Sequence, residues 1–187
     1  MPAKPLKILV RAMEPREDSH FTLQRHSITV DPAYGTRDTS MNQALERAVD
    51  FFRHGKFEQA ERTLNELRNS GGETPDALHL LALIKLETGH PAAAVEPLKK
   101  ALEDRSDSSE LLALLGTAYR RDGRLEEAVG AFEKAVALDP DQAGVLYNFG
   151  NALRDVGRLE DAAKKFQKAV AIDPGFTDAR FNLGNVL

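Results

Sequence analysis

The sequence predicts an all-α chain: a right-handed α-solenoid of antiparallel helix pairs, preceded by an irregular N-terminal arm. Three observations carry this. Glycine recurs at Gly55, Gly89, Gly123 and Gly157, each 34 residues from the next. Alanine keeps the same interval at Ala60, Ala94, Ala128 and Ala162, and Asp139-Pro140 repeats it as Asp173-Pro174. Glycine makes up about 7% of an average chain, so three further hits in register arise by chance roughly once in several thousand trials. Self-similarity at this period marks stacked helical repeats, whose long concave surfaces hold other molecules more often than they catalyse.

Residues 1–40 stand outside the repeat. They contain Pro2, Pro5, Pro15 and Pro32 with mixed charge, which reads as a disordered or loosely attached arm. Weak alternation through Phe21, Leu23, Ile28 and Val30 offers one strand. A sharper alternative is a segment that folds back and blocks the groove.

Residues 41–187 divide into repeats 41–74, 75–108, 109–142 and 143–176, with a partial fifth at 177–187. Each full block reads as two helices separated at the repeated glycine, which takes positive φ at little cost. In the third block the helices fall at 109–122 and 125–138. Leu111, Leu112, Leu115, Ala118 and Tyr119 share one helical face, and Ala128, Val129, Phe132, Ala135 and Val136 share another. Thr74-Pro75-Asp76 reads as an N-cap, a first-turn proline and a first-turn acid. Pro97 lies inside the second helix of the second block and should kink it. Gly116, Gly150 and Gly184, with Ala48 and Ala82 at equivalent places, allow close helix approach, while Tyr119, Phe132, Phe149 and Phe166 fill the space beside them. Phe181, Leu183, Val186 and Leu187 end the chain without a polar capping helix. This reads as a fragment of a longer protein, or as an open repeat that self-associates.

Composition narrows the function. The net charge of −4, from 25 basic and 29 acidic residues, argues against nucleic acid as a partner. With no cysteine, disulfides, zinc–thiolate sites and thiol nucleophiles are excluded. No stretch is apolar enough to span a membrane, and the run Leu6 to Val10 is too short for a secretory leader. The reading is cytoplasmic. No catalytic, cofactor or metal constellation stands out: His20 and His26 lie six apart without the helical spacing or carboxylates a metal site wants, and Glu126-Glu127 diverge on a helix.

The third block carries Leu112, Leu115, Gly116, Tyr119, Ala128, Phe132, Ala135 and Pro140; the fourth carries Leu146, Phe149, Gly150, Leu153, Ala162, Phe166, Ala169 and Pro174. This resembles the tetratricopeptide repeat (TPR) pattern W-x2-L-G-x2-Y…A-x3-F…P. The second block is looser, with Lys85 and Ser106 in place of the aromatic and the proline, and the first has Arg47 where leucine is usual. The strings at 147–153 and 181–187, YNFGNAL and FNLGNVL, are similar to repeats of O-GlcNAc transferase-like and bacterial TPR proteins.

The resemblance implies a TPR superhelix whose first helices line a concave, peptide-holding groove. Its residues would be Asn148 with Asn182, Asn151 with Asn185, Arg120 with Arg154, and Tyr147. Asparagine amides can grip a peptide backbone and arginines favour carboxylates; against this, the asparagines are equally read as polar consensus positions. Leu80 and Leu114 stand where further asparagines would extend the ladder, and Tyr147 replaces the lysine that a carboxylate clamp needs. Leu45, Val49, Phe52, Leu80, Leu83 and Leu86 suggest an apolar stretch of groove, or ordinary core. The expected function is a protein-interaction scaffold that binds a protein or peptide segment. The alternative is the substrate-docking region of a larger enzyme, such as a glycosyltransferase or sulfotransferase, with its catalytic domain beyond residue 187.

Overall fold

The computed structural model describes residues 6–10, 26–30 and 39–187. The rest of the N-terminal arm lies outside the described residues. Two short strands, β1 (Leu6–Val10) and β2 (His26–Val30), pair antiparallel with Leu6 opposite Val30 and Val10 opposite His26. Of the stretch 21–30 suggested by alternation, residues 26–30 form the paired strand β2, and 21–25 lie outside the described residues. The helices are α1 (Thr39–Arg53), α2 (Phe57–Asn69), α3 (Pro75–Glu87), α4 (Pro91–Asp104), α5 (Ser109–Arg121), α6 (Leu125–Leu138), α7 (Ala143–Asp155), α8 (Leu159–Ile172) and α9 (Thr177–Val186).

Local chemistry explains these boundaries. Gly55, Gly89, Gly123 and Gly157 adopt φ of 69°, 77°, 79° and 82°, a left-handed conformation that ends each first helix and that other residues adopt only with strain. The Thr74 hydroxyl accepts from the Ala77 N–H at 3.2 Å, and Ser108 caps α5 through the Leu111 N–H. Pro97 does not end its helix, because α4 runs unbroken from Pro91 to Asp104. The carbonyl deprived of a donor there is that of Ala93, an exposed residue where water can satisfy it.

The described elements form two compact units, one reaching to Asp104 and the other spanning Arg105–Leu187. In the first unit α1 packs on α2 and α3 on α4, with β2 lying against α3. Lys85, where the repeat usually has an aromatic, extends to Glu61 on α2 at 2.5 Å. A half-buried ion pair thus stands where the repeat usually has a ring.

In the second unit α5 packs on α6, α7 on α8, and α9 on α8. Gly116 faces the Phe132 ring and Gly150 faces the Phe166 ring, both fully buried. A Cβ on Gly150 would lie 2.5 Å from Phe166 Cε1. Gly184 departs from the expectation: a Cβ there meets nothing within 4 Å, because no helix follows α9 among the described residues to supply the aromatic. Phe132 stacks on Phe149 with centroids 6.1 Å apart, and Phe166 meets Tyr147 at 5.9 Å, which ties successive helix pairs together.

The glycines separate cleanly in their expected response to alanine. Gly150→Ala should destabilise the chain by about 1–3 kcal/mol through overpacking against Phe166. Gly130→Ala, mid-α6 with nothing within 4 Å, should stabilise by roughly 0.5–1 kcal/mol by restricting the unfolded backbone. Urea unfolding of both variants measures the two signs.

Candidate peptide-binding site

All seven groove residues expected from the sequence lie in the second unit, on α5, α7 and α9. Helical spacing puts Tyr147, Asn148, Asn151 and Arg154 on one side of α7. Tyr147 and Asn151 are buried, Asn148 and Asn182 half-buried, and Asn185 exposed.

Three of these groups form a hydrogen-bonded set across α7 and α9. Asn182 Nδ2 donates to Asn151 Oδ1 at 2.9 Å and to the Tyr147 hydroxyl oxygen at 3.3 Å. Both Asn182 amide protons are thereby committed, and its carbonyl oxygen remains as an acceptor. The Tyr147 ring packs against Phe176 with centroids 4.9 Å apart and against Phe166, which holds the hydroxyl in position. Tyr147 and Asn151 therefore back Asn182 from within the stack. Asn148 differs: among the described residues its half-buried amide takes no hydrogen-bond partner, so donor and acceptor are both available.

The arginines converge on one carboxylate. Arg120 Nη1 lies 2.9 Å from Asp155 Oδ2, and Arg154 Nη2 lies 3.3 Å from Asp155 Oδ1. Two guanidinium groups around one carboxylate leave a local excess of positive charge at the C-terminal ends of α5 and α7. Sequence reasoning missed Asp155. Its signal was an offset of one: it follows Arg120 by 35 residues, one more than the repeat, which brings it beside Arg120 as well as Arg154.

A second concavity of the same unit, about 380 Å³, is lined by Phe149, Leu153 and Val136 beneath Glu133, Arg158, Asp161, Lys164 and Lys165. Arg158 and Lys164 are paired with its two carboxylates, and among the described residues Lys165 is left over. Arg158 lies 2.8 Å and Lys164 3.4 Å from Asp161, and the two cations hold its carboxyl below the usual carboxylate range. Lys165 rests 4.9 Å over the Phe149 ring. Among the described residues no group of three or more His, Asp or Glu could hold a metal ion, and no helix is long and apolar enough to cross a membrane.

Tetratricopeptide repeat models match residues 45–108, 79–143 and 131–164, and a TPR repeat model matches 150–187. The chain belongs to the tetratricopeptide repeat family. No curated protein matches it at the sequence level. Among solved structures it is similar to a crystal structure of MamA, with 25% identity over 74% of this chain and 81% of that one and a TM-score of 0.70. MamA 41-end from Desulfovibrio magneticus RS-1 is 23% identical, with a TM-score of 0.74 over 80% of this chain and 84% of that one. The TPR protein YrrB is 21% identical, with a TM-score of 0.70 over 80% of this chain and 77% of that one. These neighbours share the all-α solenoid fold of stacked helix pairs.

Removing Asn151 should expose how far the amides depend on one another. Asn151→Ala leaves Asn182 without its nearer acceptor and should cost about 1–3 kcal/mol. A double-mutant cycle with Asn182→Ala, followed by chemical denaturation, should return a coupling of about 0.5 kcal/mol or more.

Proposed function

We propose that this TPR chain is a protein-interaction scaffold whose second unit holds an extended partner segment along α7 and α9. The observation that carries this reading is the half-buried Asn148 amide, which has no protein partner among the described residues and shares a helix face with the network that orients Asn182. Asn148 can donate to a peptide carbonyl and accept from a peptide N–H, while the carbonyl of Asn182 accepts from the next N–H along. Contacts of this kind read the backbone, so affinity would tolerate varied side chains. The positive excess around Asp155 would favour a carboxylate at the end of the segment nearest Arg154.

YrrB, a neighbour with the same fold, is described as a TPR protein with an unusual peptide-binding site. That description supports peptide capture as something this fold can perform. The partner would lie outside the chain's own chemistry, since stacked repeats of this kind supply a surface and seldom a reaction centre.

A peptide array identifies a ligand, and fluorescence anisotropy then measures it. Asn148→Ala should weaken binding about five- to tenfold, the loss of one or two net hydrogen bonds, without moving the unfolding midpoint. Asn148→Ala with Asn182→Ala should weaken it further. Unchanged affinity in the double variant would remove the asparagines from the site.

A further inference from the structure

Shifting by two repeats places His79, Leu80, Leu83 and Leu86 of α3 at the positions of Tyr147, Asn148, Asn151 and Arg154 in α7. The polar rungs of one helix are thus leucines in the other. Every residue of α3 from Pro75 to Ile84 is buried, as is Leu86, so α3 buries all its sides. A helix apolar all round needs cover on each face. Within the first unit, α4, α2 and α1 supply part of that cover, and the strand β2 lies against the same helix. The strand that lies against it has part of the pattern of an extended ligand: Ser27-Ile28-Thr29-Val30 alternates polar and β-branched apolar residues, and its backbone is already extended through pairing with β1.

We infer that α3 carries an apolar docking surface for an extended segment, and that β2 of the same chain occupies it as a built-in competitor. The surface is distinct in chemistry from the asparagine face of α7. Leucines select apolar, β-branched side chains by burying them, whereas amides select backbone. An outside segment of alternating apolar pattern reaches α3 only when β2 leaves, so apparent affinity falls by the fraction of chains in which the strand is displaced. This inference does not depend on Asn148 or Asn182 and can fail while they bind peptide.

The test uses the full chain. Because the native sequence has no cysteine, Ser27→Cys accepts a single nitroxide label. Amide resonances of α3 should broaden strongly in the labelled chain; sharp α3 resonances would overturn the assignment. Labelled chains mixed with unlabelled, isotope-enriched chains should leave the enriched α3 sharp. Broadening there would hand the surface to a second copy and overturn the intramolecular plug. Thr29→Pro, opposite Lys7 in the middle of the pairing, should disrupt β2. A synthetic peptide of residues 4–34 should then bind the Thr29→Pro chain about tenfold or more tighter than the native chain. Equal affinity for both, or binding to neither, would refute the competition. If Thr29→Pro loses its helical circular dichroism, the nitroxide experiment alone decides.

Discussion

The closest approach between paired helices sets the geometry on which the second unit depends. At Gly116 and Gly150 a helix backbone comes so near an aromatic ring that a single methyl group would collide with it. The rings held there, Phe132 and Phe166, are fully buried and reach onward to Phe149 and Tyr147 of α7. Small residue, large residue and neighbouring ring thus form one chain of contact that fixes how each helix pair meets the next. A densely packed interior transmits such placement because it has little free volume to absorb an error.

The polar face inherits its order from that packing. Tyr147 is braced by Phe166 and Phe176, its hydroxyl accepts from Asn182, and Asn151 accepts from the same amide. Buried amides must be satisfied, so Asn151 constrains Asn182 to one orientation. The same logic turns Arg120 and Arg154 toward Asp155. On the proposed reading such a face is pre-organised: its groups are oriented before a ligand arrives, which lowers the ordering cost of binding.

The two units express one repeat in different chemistries. Lys85 and Glu61 replace an aromatic contact in the first, and leucines replace asparagines along α3. The helical scaffold tolerates this because the positions that keep it folded, the turn glycines and the small residues at Ala60, Ala94, Ala128 and Ala162, are unchanged. Positions free of that duty vary.

Helices, turns and family were legible in the sequence, because they rest on local causes. Positive φ at Gly123 and apolar spacing from Leu111 to Tyr119 act within a few residues, and the predicted helices at 109–122 and 125–138 appear as Ser109–Arg121 and Leu125–Leu138. Pro97 carries a real local cost, yet packing of Ala94, Val95, Leu98 and Ala101 carries α4 through it. Gly184 looked like Gly116, but a glycine marks a close approach only where another helix supplies the ring. The site was legible only in part. The 34-residue interval named Asn148 and Asn182, but only the fold distinguished an open amide from a committed one. The partners of Asn182 and Arg120 lie 31 to 35 residues away. Covering α3 brings in a strand still further along the chain. A sequence read locally therefore determines which elements form and how they repeat, while tertiary contact decides which side chains remain available to a partner.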